Sequence, residues 1–592
     1  MDRYSIARSF RRTFFLLLAA LFCLQAHSEA QGRCPDPLQA SQLKAVFRGG
    51  QTFITWRDAD SANVKRYRIL RHTSPITDDN GPQAEMLADW VAPGSGIDYV
   101  NRAIFKRESG FVIRDLGEQL APGMGLYVHT VSRQEVAYYA VGSLDSAGKL
   151  LSAFESGKNS LAAPVEESPG SFQPVLIEKQ RTETGLADIY THWVDRDMHP
   201  REGMAYRFAV ALPENYRPEA RHPLLIVLHG AGGSYGTMFI ADQDWVVLYP
   251  DMRTVTFRND KTHEWDGNGS NFWFGLNSNF YNREDPWGGI NVNYDERRLL
   301  WTIRWVMERY NVDSDRVHIQ GGSMGGYASL NLALHYPELF ASAYAWVPPT
   351  DFFRMSDYGN GIATMHWGPR AANIPTNEGT GIFDRTDLVA YARSHPEVDF
   401  PVIMTLSGKQ DKLIGWEGPR LFYQAMQESN HALLAFWSRG EHTGGPQQAK
   451  FGTPWQYFAT DLYKLRRDQS YPALSFASNN DTPGTSSDNG DPAGQLNAGF
   501  QWRDIVDRPR EYEVTIEPLN GRALSATADL TPRRLQRFEV LPDKKYSYRN
   551  IELKTGKVVQ SGVLRPDKFK LLTVKGFQIG SSGNRLKIAP AD

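Results

Sequence analysis

Cysteine is nearly missing from this chain: there are two in 592 residues, Cys23 and Cys34. Cys23 falls in an N-terminal segment expected to be removed. Cys34 is then alone, which excludes an intramolecular disulfide in the mature protein. An excess of either charge sign is also missing. The 65 Lys and Arg face 67 Asp and Glu, a formal net charge of −2, so neither nucleic acid nor another polyanion is an expected partner. Beyond residue 30 no apolar run is long enough for a membrane helix, and no stable membrane anchor is expected. The sequence has no internal repeat.

The N-terminus departs from this pattern. Arg3, Arg8, Arg11 and Arg12 precede the apolar run from Phe14 to Phe22. These are the basic and apolar regions of a secretory signal peptide, and Ala26-His27-Ser28 and Ser28-Glu29-Ala30 both offer small-residue cleavage sites. Residues 1–30 are therefore expected to be removed. The pair Arg11-Arg12 also resembles a twin-arginine signal, but no Ser or Thr directly precedes it, and both export routes stay open. Arg33 before Cys34 argues against lipid attachment, which needs a small residue there. A large exported chain without disulfides fits a bacterial periplasm or exterior better than an animal secretory pathway.

Residues 35–165 read as all-β. Thr52-Phe53-Ile54-Thr55-Trp56 and Tyr67-Arg68-Ile69-Leu70-Arg71 alternate, and Tyr138-Tyr139-Ala140-Val141 precedes the turn Ser146-Ala147-Gly148. These strands resemble a fibronectin type III domain with an insertion between Thr73 and Glu135. The module reads as a spacer or as a carbohydrate-binding unit. A polar linker, Pro164 to Gly170, follows. Residues 173–470 alternate strands with helices, which predicts a mostly parallel sheet. The predicted strands include Tyr206–Leu212, Leu224–Leu228, Trp245–Leu248, Val317–Ile319, 401–406 and 432–437. Residues 473–592 read as a second β-sandwich, with strands over Tyr512–Ile516 and Arg537–Val540, after a polar loop from Asn479 to Asp491.

The middle segment carries the chemistry. Val317–Ile319 leads into Gly321-Gly322-Ser323-Met324-Gly325, and a helix with Tyr327, Leu330, Leu332 and Leu334 follows. Strand, G-x-S-x-G turn and helix together make the nucleophile elbow of α/β-hydrolases. A second G-x-S-x-G, around Ser234, lies in a loop with no amphipathic helix behind it and reads as a loop serine. A serine hydroxyl needs a base, and the base needs a carboxylate to hold its tautomer. In this fold the chain order is Ser, acid, His. Asp411 follows strand 401–406, and His442 follows strand 432–437 in a Gly-rich loop. Ser323, Asp411 and His442 are therefore the expected triad, with Glu417 and Asp384 as rival acids and His318, His335 and His366 as rival bases. The oxyanion donors expected are the N–H groups of Met324 and of Ala231, in His229-Gly230-Ala231-Gly232-Gly233. This chemistry calls for no cofactor.

His229–Gly233, Gly321–Tyr327 and Tyr336-Pro337-Glu338-Leu339-Phe340 resemble secreted α/β-hydrolases: prolyl oligopeptidase catalytic domains, feruloyl esterases and polyhydroxyalkanoate depolymerases. The resemblance covers residues 173–470. It implies a serine hydrolase in a doubly wound α/β sheet flanked by two all-β sandwich domains. Residues 35–165 are too short for the propeller of a prolyl oligopeptidase, which weakens a peptidase relative to an esterase. Two insertions, Phe257–Ile290 and Pro348–Phe400, are rich in aromatics. Trp265, Trp273, Trp287, His366 and Trp367 are candidate contacts to sugar or phenolic rings, or they pack the insertions themselves. An ester-bearing substrate, such as an esterified polysaccharide, is the expected partner; a non-catalytic binding protein is the remaining alternative. Asp266–Asn271 resembles part of a calcium loop but lacks the later Glu, so no metal is expected.

Overall fold

The computed structural model describes residues 36–105, 107–182, 185–236, 244–252, 257–258, 265–266, 271–282, 284–442, 462–519 and 525–591. The expected signal peptide, Cys34 and residues 267–270 of the calcium-loop-like stretch lie outside the described residues. The chain divides into two compact units. The first holds residues up to 98, 108–111 and 119–173; the second holds 99–107, 112–118 and 174–592.

The first unit is built on two sheets. Ser41–Arg48, Gln51–Arg57 and Met124–Thr130 form a three-stranded sheet. Glu85–Val91, Arg66–His72, Glu135–Leu144 and Val165–Glu167 form a four-stranded one. Alternation puts Tyr67 and Ile69 inward, both fully buried. The Trp56 ring meets Tyr67 edge-on at 5.3 Å. Glu167 is buried and compensated: Arg71 Nη2 donates to it at 2.7 Å and the Tyr139 hydroxyl at 2.5 Å. The long stretch after Thr73 holds two of the strands, and two of its pieces, 99–107 and 112–118, belong to the second unit.

The second unit is organised by a ten-stranded sheet. Its order is Gly494–Leu496, Leu433–Ser438, Val402–Gly408, Ser342–Trp346, Val312–Gly322, His222–Leu228, Val246–Pro250, Met204–Pro213, Gly185–Val194, Val175–Thr182. From Leu433–Ser438 to Val246–Pro250 every pairing is parallel. Met204–Pro213 and its two outer neighbours pair antiparallel. Helices Tyr294–Arg309, Met324–His335 and Glu417–Glu428 connect the parallel strands. This is the α/β-hydrolase architecture. Leu224, Ile226 and Leu228 show why the central strands read as unbroken apolar runs: they are buried in a sheet covered on both faces. The two outermost strands were not foreseen. Glu178, Lys179 and Gln180 are exposed on Val175–Thr182, as an edge strand permits.

A buried polar knot fixes the helices beside Ser323. Glu296, on the helix before the elbow strand, is fully buried. It accepts from Asn331 Nδ2 at 2.6 Å, the Tyr336 hydroxyl at 2.7 Å and Arg385 Nη2 at 3.1 Å. The helix before the elbow, the helix after it and the second insertion thus share one carboxylate, whose burial is tolerable only because it is paired.

The C-terminal residues form a second sandwich. Tyr471–Ser475, Ala526–Arg533 and Val574–Ile579 make one sheet. Phe500–Arg508, Glu511–Pro518, Asn584–Pro590, Tyr546–Glu552 and Val558–Leu564 make the other. Tyr512, Ile516, Leu530, Phe577 and Ile588 fill the space between them. The expected strand Arg537–Val540 is irregular instead; Phe538 is buried and its N–H donates to Asp507 Oδ1 at 2.7 Å. Nor does the sandwich stand apart from the sheet. Gly494–Leu496 crosses back and pairs antiparallel with Leu433–Ser438.

Candidate active site

The elbow is built by backbone proximity. Ser323 takes φ 56° and ψ −121°, a conformation costing about 1–3 kcal/mol for a residue with a side chain. Its N–H donates to the Trp346 carbonyl at 2.9 Å on the neighbouring strand. A Cβ on Gly321 would lie 2.5 Å from the Gly325 carbonyl carbon, and one on Gly325 would lie 2.2 Å from the Leu228 carbonyl oxygen. Only glycine fits at either position. The sharp turn projects the serine hydroxyl from the carboxyl end of its strand, where open α/β sheets hold their chemistry.

Three loops at strand ends bring the predicted residues together. Ser323 Oγ lies 2.8 Å from His442 Nε2, and His442 Nδ1 lies 2.7 Å from Asp411 Oδ2. The other carboxylate oxygen, Oδ1, accepts from the N–H groups of Leu413 at 2.9 Å and Ile414 at 3.0 Å. Asp411 is buried, while the His442 side chain keeps 20% of its surface exposed. An imidazole held this way can take the serine proton and remain stabilised as an imidazolium.

The rivals lie elsewhere. Glu417 is exposed and faces Arg354 at 3.3 Å. Asp384 accepts from Asn373 Nδ2 at 2.8 Å. His318 is fully buried with Nδ1 2.7 Å from the Ser342 hydroxyl, and His335 donates to the Asn331 carbonyl at 3.0 Å. Burial pushes both imidazoles down to about 3, so neither serves as a base near neutral pH. Ser234 is buried in the turn after His222–Leu228.

The candidate oxyanion loop lies against Ser323. A Cβ on Gly230 would be 3.5 Å from Ser323 Cβ and 3.2 Å from the Gly322 carbonyl. Ala231 is exposed in the turn that Gly233 N–H closes onto the Gly230 carbonyl at 3.0 Å. Met324 is the first residue of its helix, so helix geometry leaves its N–H without an intrahelical partner. His229 braces this loop: Nδ1 donates to the Gly230 carbonyl at 2.8 Å, and Nε2 accepts from the Met252 N–H at 3.1 Å. Trp273 Nε1 in turn donates to the His229 carbonyl at 3.3 Å.

The aromatic insertions are mostly packing. Trp273 is buried and acts through His229, not on solvent. His366 and Trp367, expected as possible substrate contacts, are core residues. His366 is 1% exposed and stacks on Phe280 at 5.4 Å. Trp367 is 0% exposed, lies among Phe272, Phe352 and Phe383, and donates to the Gly275 carbonyl at 2.9 Å. Trp287 is different. The residue is 39% exposed, with Nε1 donating to the Met365 carbonyl at 3.3 Å. Trp265 pairs through its backbone with Arg258.

Residues 201–464, which include Ser323, Asp411 and His442, match the model of a family described as putative esterase. The chain is 35% identical over 73 residues to a probable acetylxylan esterase A of Aspergillus fumigatus, covering 12% of this chain and 20% of that protein. It thus spans about a fifth of that relative's length. It is 23% identical over 248 residues to feruloyl esterase B of Neurospora crassa, covering 38% of this chain and 70% of the other. The solved structure of an S-formylglutathione hydrolase from Agrobacterium tumefaciens aligns at 18% identity and a TM-score of 0.35, over 49% of this chain and 96% of that one.

Proposed function

We propose that this protein is an exported carboxylic-ester hydrolase whose esterase-family domain works through an acyl-enzyme on Ser323. The observation that carries this reading is the hydrogen-bonded line from Ser323 through His442 to Asp411, at 2.8 and 2.7 Å. Ser323 Oγ attacks the ester carbonyl while His442 Nε2 takes its proton. Asp411 holds the Nδ1–H tautomer and stabilises the imidazolium. The N–H groups of Met324 and Ala231 are suited to receive the oxyanion of the tetrahedral intermediate. The intermediate collapses as His442 returns the proton to the departing alcohol. Water, deprotonated by the same imidazole, then releases the acid and regenerates the serine.

The acetylxylan and feruloyl esterases among the relatives support acetyl or feruloyl esters of polysaccharides as substrates. The partial exposure of Trp287 supports a contact to a sugar or phenolic ring. The basic and apolar regions of residues 1–30 support export. The three-plus-four strand layout of the first unit supports its likeness to a fibronectin type III module.

The test is kcat/KM on p-nitrophenyl acetate, methyl ferulate and a proline-containing aminoacyl p-nitroanilide. The two esters are expected to be cleaved faster. A preference for the anilide would replace esterase with peptidase.

A further inference from the structure

The polar stretch from Asn479 to Asp491 reads in sequence as a loop without core residues. In the structure it is closed on itself and seated against the strands that carry the acid and the base. Thr482 N–H donates to Asp491 Oδ2 at 2.7 Å, Asp491 N–H returns a bond to the Thr482 carbonyl at 2.7 Å, and Asn489 Oδ1 accepts from the N–H groups of Thr485 and Ser486 at 2.7 and 3.1 Å.

Lys409 is the centre of the contact. It lies two residues before Asp411, is 2% exposed, and its ammonium donates to three carbonyls of this loop: Pro483 at 3.0 Å, Asn489 at 2.6 Å and Asp491 at 3.1 Å. An ammonium has three donors, and here all three are used. Two of these carbonyls are shared. The Pro483 oxygen also accepts from Trp416 Nε1 at 3.2 Å, five residues after Asp411. The Asp491 oxygen also accepts from Trp437 Nε1 at 2.9 Å, near the end of the strand that leads to His442. The loop therefore grips the acid turn on both sides and the base strand on one. Backbone bonds tie the same two segments directly: Lys409 N–H to the Ser438 carbonyl at 2.8 Å and Gln410 N–H to the Gly440 carbonyl at 3.2 Å. The tip of the loop, Thr485 to Ser487, shares with Lys409, Asp411 and Trp416 the lining of an open cavity of about 590 Å³.

We propose that loop 482–491 is a clamp supplied by the C-terminal segment, and that Lys409 is a positioning residue through which it sets the distance between Asp411 and His442. This rests on the triad reading above. The clamp makes the C-terminal residues part of the catalytic machinery, not a detachable accessory. Its effect belongs on kcat, because all three donors of the Lys409 ammonium are spent on loop carbonyls and none is left for a substrate.

The test compares four proteins on p-nitrophenyl acetate: wild type, Lys409→Met, Trp416→Phe and Asp411→Asn. Lys409→Met keeps the aliphatic stem and removes the three donors. A misplacement of the acid by about 1 Å is expected to lower kcat on the order of 10²-fold with KM within about twofold. Trp416→Phe keeps a ring, removes one donor to the Pro483 carbonyl, and is expected to lower kcat several-fold in the same direction. It serves as the test if Lys409→Met does not fold. Asp411→Asn is expected to lower kcat on the order of 10⁴-fold. If Asp411→Asn is crippled while Lys409→Met and Trp416→Phe keep wild-type kcat, the clamp is overturned and the triad stands. If Asp411→Asn also keeps wild-type kcat, the triad assignment fails and takes the clamp with it.

Discussion

Gly325 passes so close to Leu228 that a methyl group on it would lie 2.2 Å from the Leu228 carbonyl oxygen and 2.8 Å from that of His229. Both are backbone atoms, so neither can swing aside. The glycine therefore sets the distance between the elbow and the loop carrying Ala231. Gly325→Ala must push that loop away from Ser323. The expected result is a loss of kcat on the order of 10²-fold, with a destabilisation of about 1–3 kcal/mol from overpacking. Steady-state kinetics and urea denaturation of the variant check both. Wild-type kcat in a folded Gly325→Ala protein would show that the two backbones can separate without consequence.

Acid should weaken the fold before most carboxylates titrate. Burial pushes His192, His199, His318 and His335 down to about 3, against an unfolded value of about 6.5. Between these values the unfolded chain binds protons that the native protein refuses, so stability falls as pH drops below about 6.5. Each such group contributes up to about 1.4 kcal/mol per pH unit across that window. Urea midpoints at about pH 7.5, 6.5 and 5.5, which straddle the unfolded histidine value, measure this. The decline is expected to be steepest between the two lower pH values; a flat profile would mean these imidazoles take up protons in the native state as readily as in the unfolded chain.

Two tryptophans of the insertions should behave oppositely. Trp367→Ala removes a fully buried ring and is expected to cost about 3–5 kcal/mol of stability. Trp287→Ala removes an exposed ring and one hydrogen bond, and is expected to cost about 1 kcal/mol. Thermal and urea unfolding of the two variants check the contrast. Equal losses would mean that Trp287 is as much a core residue as Trp367.

The elbow and the contacts joining Ser323, His442 and Asp411 were legible in sequence for a physical reason. A G-x-S-x-G turn between a buried strand and a packed helix leaves a local signature, and Asp411 and His442 follow apolar strands that are legible in the same way. Burial of the insertion aromatics was not legible. Trp287 and Trp367 sit in similar surroundings in sequence, and only the packing of Phe272, Phe352 and Phe383 around one of them separates the two. The edge strand Val175–Thr182 was missed because its exposed half is charged and polar. The contact of loop 482–491 was invisible because its acceptors are backbone carbonyls, which every residue possesses. The same holds for Phe538: its neighbours Arg537, Glu539 and Val540 alternate like a strand, yet the segment is held by the Asp507 side chain instead of a ladder.

The central claim is that Ser323 is the nucleophile, activated by His442. A fluorophosphonate reacts with a serine hydroxyl only where a base activates it, and two G-x-S-x-G serines compete here, Ser323 and Ser234. Incubation of the purified protein with the probe, followed by mass spectrometry of its peptides, identifies the modified residue directly. One label is expected, on the peptide containing Ser323, and its loss in the Ser323→Ala variant. A label on the peptide containing Ser234, or no label on an active enzyme, would contradict it.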